Sequence, residues 1–504
     1  MIRATRYGAA LLSALALLAV ASPRAQAFVF RLSVTRAQRP RAISSNFVGV
    51  ALEYSALRSE VGYDSKSANP VLVQLIRNLA PNGRPLLRIG GLSTDRTWWP
   101  QKGLAAPAGV TFGLSTAWTT AAKELAQAAN AQLLLGLNLQ ADRPKVDSVE
   151  ANQLIKNIGR QYIGGFEIGN EPELYTDIAW YRSLGGKRLP WYSKQGSPVY
   201  ARPSNYSPQT FIGDFERVLH VLPNVSIAGP SAGIGKWLSA FGRLESRHSR
   251  VRLVTAHDYS LNSCDHNPAS PSYPTVPHLL SAATARGFAG GVGSFAGRAH
   301  GAGASFRIDE MNSVTCNGRA GVSNTMASAL WMANSLFTLA ADGVDGVNIH
   351  TFPKAANGLF DFSTSHGQWR ATVHPVYYGA LLFSQAAPAG AHLLRIHSSN
   401  QKTVHAWATT APDHHVRVLL INDNLHSSGT AVVNAAGTTG PATVERLRAS
   451  SAYATGGVTL GGKSFGTTST GVLGAPNVQT VTARSGRYSV SLPPASAALL
   501  TLSS

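Results

Sequence analysis

The sequence predicts an α/β protein: a (β/α)8 TIM barrel followed by a C-terminal antiparallel β-sandwich domain. Three observations lead there. Between about residue 45 and residue 350, eight short apolar β-type runs alternate with helical patterns. Beyond about Leu382 the helical signals give way to short β-type runs separated by Gly- and Ser-rich turns. The 504 residues exceed one ordinary domain and suit a barrel with one smaller companion.

Residues 1–27 read as an export signal. Arg3 and Arg6 give a positive start, an apolar run spans 8–21, and Ala25-Gln26-Ala27 is a small-x-small cleavage site. The alternative is a core helix at an unprocessed N-terminus. The apolar run is too short for a permanent membrane span, and no later stretch reaches about 18 uninterrupted apolar residues. The expected location is therefore secreted or periplasmic, with no membrane anchor. Residues 28–43 begin with a strand-like run that precedes the barrel and could pair with the C-terminal sheet, clamping the two domains together.

The catalytic barrel is expected over 44–385. Its strand candidates are 47–53, 85–90, 132–139, 163–169, 225–229, 251–256, 305–309 and 344–350, with helical patterns at 71–79, 115–129, 148–158, 208–221 and 323–341. A doubly wound open sheet is the runner-up. It would normally show a glycine-rich phosphate loop after its first strand, and none follows 47–53. Residues 386–504 form the β-sandwich domain, with β-type runs at 404–408, 417–421, 443–448 and 488–492.

Charge narrows the partners. The chain carries a formal net charge of +19, and losing Arg3, Arg6 and Arg24 with the export segment leaves +16. Such a field admits acidic polysaccharides as partners. The basic residues are scattered, without the dense run that marks a nucleic-acid footprint, so no nucleic-acid partner is expected. Cys264 and Cys316 are the only cysteines, each after a segment placed at the active end of a barrel strand. In an exported protein a disulfide between them is preferred to two free thiols. Two distant cysteines without spaced histidines do not make a zinc site, so no metal is expected.

In a barrel of this kind reactive groups sit where strands end at the C-terminal face. The fourth strand runs into Gly169-Asn170-Glu171-Pro172 and the seventh into Asp309-Glu310-Met311-Asn312. Carboxylates on strands four and seven face each other across the barrel mouth. Glycoside hydrolysis needs such a pair, one acid to protonate the leaving oxygen and one to attack or to activate water. Each has a plainer reading. Glu171 could serve the N-terminal dipole of a helix, and Glu310 could be a surface acid. Glu167 shares strand parity with Glu171, points into the barrel and needs a buried partner, for which Arg88 on strand two is the candidate. Arg88 reaches either Glu167 or Glu310.

With these residues in view, the chain resembles glycoside hydrolase family 79, the β-glucuronidases and heparanase, within the clan of retaining barrel glycosidases. The matching pieces are Gly169-Asn170-Glu171-Pro172, Asp309-Glu310-Met311-Asn312-Ser313, Thr255-Ala256-His257-Asp258-Tyr259, Val50-Ala51-Leu52-Glu53-Tyr54 and Arg88-Ile89-Gly90-Gly91-Leu92-Ser93-Thr94-Asp95. The Asn-Glu-Pro motif alone marks only the clan; the ordered set of five is more specific. The resemblance implies Glu171 as general acid/base and Glu310 as nucleophile. It implies Asn170 on the sugar hydroxyl beside the anomeric carbon, Tyr259 on the nucleophile, and Glu53 and Asp95 on sugar hydroxyls. Glu53 could instead balance a buried Arg, and Tyr259 could be a core aromatic.

The sequence departs from the family in one place. The loop after the nucleophile should hold the sugar carboxylate with a Tyr and a Gly, but Thr315 and Asn317 stand there. The loop at 352–358 also lacks an expected Tyr, leaving Lys354 or Arg319 as cations that could form an ion pair. The expected activity is a retaining β-glycosidase on β-glucuronides or uronic-acid-containing glycans. The alternatives are the same mechanism on a neutral β-glucoside or β-xyloside, and a polysaccharide-binding protein without catalysis. No cofactor is needed, because the carboxylates supply proton and nucleophile. A retaining pair should stand about 5–5.5 Å apart.

Overall fold

The computed structural model describes residues 27–503 apart from 37–39, 64–66, 243, 245, 289, 400–401, 436–437 and 439. All but the last residue of the export segment lies outside the described residues. Eight strands close a parallel barrel in chain order: Val48–Glu53, Leu86–Gly90, Gln132–Leu137, Ile163–Ile168, Ile227–Gly233, Val251–Leu261, Ser305–Val314 and Gly346–His350. These are strands one to eight, and strand eight pairs with strand one through Val347↔Val48 to His350↔Ala51. Strand one is buried along its whole length, as expected of a parallel strand covered by helices outside and side chains inside.

Strands six and seven outrun their sequence-based limits by five residues each. Polar His257, Asp258 and Glu310 read as loop beyond the strand ends, but in the structure they stay within the strands, with His257 opposite Glu310 and Tyr259 opposite Asn312. Strand five lies two residues later than expected at its start and four at its end. A three-stranded sheet, Tyr181–Leu184, Lys187–Leu189 and Ser197–Val199, is inserted between strands four and five, and a hairpin, Phe360–Ser365 with Gln368–Val373, follows strand eight. The helix Pro375–Ala386 is absent from the sequence reading because it is buried on nearly every side and shows no amphipathic period.

The C-terminal domain packs two sheets. One runs in the order Arg395–Ser398, Phe28–Thr35, Gly429–Ala435, Arg487–Leu492. The larger holds Val404–Thr410, Val416–Asn422, Ser496–Leu502 and Ala442–Arg448 at its centre. In Phe28–Thr35 the buried residues are Phe30, Leu32 and Val34, an alternation that puts one face into the sandwich core. This strand runs antiparallel to Arg395–Ser398 but parallel to Gly429–Ala435, so one seam of the domain departs from the antiparallel pattern.

The larger sheet is apolar on both faces. Val418 and Leu420 point into the sandwich, while Leu419, Ile421 and Leu499 join the barrel's core. Trp407 stacks on Phe337 of the helix Met326–Asp342 and donates to Asn334 Oδ1 at 2.9 Å. The two domains thus share one hydrophobic body.

Close helix packing makes one glycine indispensable. A Cβ at Gly379, in the helix Pro375–Ala386, would fall on the carbonyl oxygen of Ala329 in the neighbouring helix. In an exposed helix Gly→Ala stabilises by about 1 kcal/mol. Here Gly379→Ala should instead cost about 1–3 kcal/mol through overpacking. Thermal unfolding of the variant checks this, and an unchanged or higher Tm would contradict the close helix contact.

Candidate active site

The site is built around Arg88 in the middle of strand two, whose side chain is fully buried. Every guanidinium nitrogen is engaged. Nε contacts Glu167 Oε2 at 2.7 Å and Asp309 Oδ2 at 2.9 Å, and Nη1 contacts Glu310 Oε2 at 2.6 Å. Nη2 donates to Asn170 Oδ1 at 2.8 Å and Ser231 Oγ at 2.9 Å. Arg88 therefore reaches both of its sequence candidates at once. Burial pushes the Glu167 carboxyl up to about 8 despite the nearby guanidinium, so it keeps its proton and donates it to Asp309, which is held below the usual carboxylate range.

Asp309 and Glu310 are consecutive, and strand alternation would send one of them away from the axis. An irregularity in the strand-six to strand-seven register, between Ala256↔Ile308 and His257↔Glu310, leaves Asp309 unpaired and turns both carboxylates toward Arg88. A similar shift in strand five, between Pro230 and Ala232, puts Ser231 at the axis with φ 54.

Glu310 is 7 % exposed and has both oxygens held: Oε2 by Arg88, and Oε1 by the Tyr259 hydroxyl, which donates at 2.8 Å. Burial opposes its charge, but the positive charges of His257, His350 and Arg88 and the Tyr259 hydroxyl outweigh it. The carboxyl is held far below its ordinary value and is ionised at any working pH.

Glu171 has a different environment. Its side chain is one-quarter exposed and accepts a single protein contact, from His257 Nδ1 at 3.0 Å. Its backbone sits at φ 48, which costs a non-glycine residue of order 1–3 kcal/mol. The peptide is pinned there by its N–H donating to Ser231 O at 2.8 Å and by Leu174 N–H donating to its carbonyl at 2.9 Å. Two residues on, burial and the Glu171 charge push Glu173 up to about 7, while Gly233 N–H donates to its Oε1 at 2.5 Å.

His257, which sequence reasoning quoted only inside a motif, links the two halves. Nδ1 meets Glu171; Nε2 meets Ser231 Oγ at 2.9 Å and lies 3.7 Å from Asp309 and 4.0 Å from Glu310. Burial disfavours its charge, but Glu310 and Asp309 raise it well above the ordinary histidine value, so it is an imidazolium. One oxygen from each of Glu171 and Glu310 and a His257 nitrogen lie within 4.8 Å of one another, a spacing that would also suit a cation. A metal needs a neutral imidazole. Here both ring nitrogens already meet Glu171 and Ser231, and the neighbouring acids favour the charged ring, an arrangement suited to holding protons.

The remaining sequence candidates lie at the same mouth. Glu53, 7 % exposed, accepts from the Leu92 and Ser93 backbone N–H groups at 3.1 and 2.8 Å and from the Ser93 hydroxyl. Gly91, at φ +73, allows this wrap, since a Cβ there would collide with the Glu53 carboxylate. Asp95 is 2 % exposed with both oxygens occupied, by Gln140 N–H at 3.0 Å and the Tyr175 hydroxyl at 2.9 Å. It braces the strand-two loop against its neighbours. Asn170, buried, has its carbonyl oxygen turned to Arg88, so its amide N–H groups take no part in that contact. Cys264 and Cys316 are bonded, with Cα atoms 6.3 Å apart, and tie the loops after strands six and seven.

Residues 406–499 match the glycosyl hydrolase family 79 C-terminal beta domain. The protein is a glycoside hydrolase. A 4-O-α-L-rhamnosyl-β-D-glucuronidase from Fusarium oxysporum, solved with Rha-GlcA, resembles the hydrolase with a TM-score of 0.68 at 20% identity. The match covers 94% of this chain and 100% of the other. A GH51 arabinofuranosidase from Xanthomonas axonopodis pv. citri gives 0.64 at 16%, over 94% and 99%. The α-L-arabinofuranosidase of Thermotoga maritima gives 0.62 at 14%, over the same shares. At these identities the likeness is one of fold. No curated protein matches the hydrolase by sequence. Family 79 thus enters through the β domain at residues 406–499, and the barrel through its shared architecture.

Two outcomes follow for the hydrolase. Tyr259→Phe removes a hydrogen bond to the ionised form of Glu310, so the Glu310 pKa should rise toward its ordinary value, which carbon NMR titration of the labelled carboxyl would read. Arg88→Met leaves buried carboxylates without their cation and should cost about 3–5 kcal/mol in denaturant unfolding near neutral pH. Ionised Glu310 stabilises the fold above its unfolded pKa of about 4.3, and that part is lost as pH falls. The difference between wild type and Arg88→Met should therefore shrink in strong acid.

Proposed function

We propose that the protein is an exported retaining β-glycosidase whose preferred substrate is a β-glucuronide or a uronic-acid-containing glycan. One observation carries the mechanism. The Glu171 and Glu310 carboxylates approach within 4.8 Å, close to the separation of a retaining pair and too near for an intervening water to attack, as inversion requires. Their environments separate the roles. Glu310 is permanently ionised and aimed by Arg88 and Tyr259, as a nucleophile must be. Glu171 is partly open to the mouth, where a leaving group and then water can reach it, as an acid/base must be.

In the first step Glu171 protonates the glycosidic oxygen while Glu310 attacks the anomeric carbon, releasing the aglycone and leaving a glycosyl ester on Glu310. In the second, Glu171 takes a proton from water, which displaces Glu310 and restores the β configuration. Asn170, oriented by Arg88, presents its amide N–H groups to the hydroxyl beside the reacting carbon. The glucuronide preference is supported by the family 79 β domain, by the net charge of +19 and by the Rha-GlcA bound in the Fusarium relative. A neutral β-glycoside is the second reading, favoured by Thr315 and Asn317 at the positions of the family's carboxylate-binding loop. Export is supported by residues 1–27 and by the disulfide. No helix among the described residues is long and apolar enough to cross a membrane.

A panel of nitrophenyl glycosides ranks the substrates, and proton NMR of the first-formed product reads its configuration. An α product would end the retaining assignment. Glu171→Ala should still release nitrophenol in a burst, because that leaving group scarcely needs a proton, and then stall as the glycosyl-enzyme. Azide should restore turnover in Glu171→Ala and give a β-glycosyl azide, while Glu310→Gln should stay inactive with or without it. Rescue of neither variant, or an α-azide from Glu171→Ala, would overturn the assignment of Glu171 as acid/base and Glu310 as nucleophile.

A further inference from the structure

Three cations act on the nucleophile: His257, His350 and Arg88. Two of them have every nitrogen engaged by the protein. Arg88 spends all its nitrogens on Glu167, Asp309, Glu310, Asn170 and Ser231, and His257 spends both of its own on Glu171 and Ser231. His350, the last residue of strand eight, differs. Its Nε2 is buried and faces Glu53 Oε1 at 3.6 Å, too far for a hydrogen bond. Its Nδ1 has no protein partner among the described residues and is not enclosed, at the rim where strand eight ends. The side chain is 12 % exposed.

The charge state of this ring is set from all sides. Glu310 on strand seven and Glu53 on strand one favour the imidazolium, while burial and Arg88 on strand two oppose it; Glu60, on the short helix Leu57–Val61, also lies within electrostatic reach. The acids prevail, and the ring's pKa is raised.

The loop after strand seven has its candidates engaged elsewhere. Thr315, standing where a carboxylate-binding Tyr is expected, donates its hydroxyl to Asn262 Oδ1 at 2.7 Å. Its loop is fastened by the Cys264–Cys316 bond and by Ala356 N–H donating to Asn317 O at 2.9 Å. Arg319 lies over the Tyr273 ring at 4.7 Å and donates to its hydroxyl at 2.9 Å. Lys354 is exposed in the turn between strand eight and the hairpin, so its flexible ammonium is held by solvent and not by a fixed partner at the rim.

We propose that His350 recognises the carboxylate of the sugar bound at the cleavage point, with Nδ1–H donating to that carboxylate while Nε2 faces Glu53. It replaces by a charge the tyrosine contacts that this chain lacks. The proposal rests on the uronide reading above and deepens it by naming the specificity-determining residue.

The test measures kcat/KM for 4-nitrophenyl β-D-glucuronide and 4-nitrophenyl β-D-glucoside in the full-length protein, with wild type, His350→Gln and His350→Arg. Losing His350 also changes Glu310, but that effect falls on both substrates and cancels in their ratio. A charge-assisted hydrogen bond is worth about 1.5–3 kcal/mol, so His350→Gln should lower the glucuronide-to-glucoside ratio by about 10- to 150-fold. His350→Arg, which keeps a cation, should retain more of the ratio. In wild type the glucuronide KM should rise with pH as His350 loses its proton, while the glucoside KM does not follow. In His350→Gln that difference should vanish. Equal loss on both substrates in a wild type that cleaves glucuronide overturns the proposal and leaves the uronide reading standing. A wild type that cleaves the glucoside and not the glucuronide, or neither, overturns the uronide reading and the proposal with it. Residual glucoside activity in the variants serves as the check on folding.

Discussion

A guanidinium sealed inside the barrel, with three acidic side chains and two neutral oxygens around it, is the constraint on which this active site depends. Burying a charge costs several kcal/mol unless its partners are close and all its hydrogens are used. Arg88 comes close to that condition with five contacts that engage every nitrogen, two of them to carboxylates on adjacent residues of one strand. The same contacts join strands two, four, five and seven at the axis. Breaking any of them leaves an unpaired polar group in a dry interior, so the four strands cannot drift apart. Glu310 gains its charge from this arrangement, since the guanidinium and two imidazolium rings outweigh its burial.

The surrounding acids divide into those that must stay neutral and those that must stay charged. Glu167 and Asp309 share a proton at the guanidinium's Nε side, so the cluster holds less negative charge than its composition suggests. That leaves Arg88 free to favour ionisation of Glu310. Glu171, on the opposite side of His257, touches none of this directly and remains one-quarter exposed. Two glutamates thus take different chemical roles because one is clamped by cations and the other is wetted by solvent.

The barrel mouth carries backbone irregularity of its own. Glu171 and Ser231 have left-handed backbones, and strands five and seven each carry a register shift at the rim. Such positions are unfavourable in isolation and persist because their surroundings determine them fully. Here the barrel, the helices around it and the two-faced sheet of the β domain form one packed body. The N-terminal strand Phe28–Thr35 completes the sandwich before the chain enters the barrel, so the rigid frame begins and ends outside the catalytic domain.

The residues that could be read from the sequence are those whose position follows from local pattern. Eight apolar runs separated by helices imply a barrel, and a barrel puts the ends of strands four and seven opposite each other. Glu171 and Glu310 therefore follow from strand order alone, and Arg88 with Glu167 from strand parity. Period-two alternation also marks Phe28–Thr35 as a strand. Pattern fails where burial or irregularity erases it. The helix Pro375–Ala386 is apolar all round, and the rim of strands six and seven is polar yet hydrogen-bonded. Asp309, Ser231 and the working contacts of His257 and His350 depend on register shifts, backbone angles and neighbours more than twenty residues away in the chain. Local sequence determined which groups stand at the barrel mouth. Only the tertiary structure decided which of them are charged, because charge in a buried site is set by the distances among all the groups that share it.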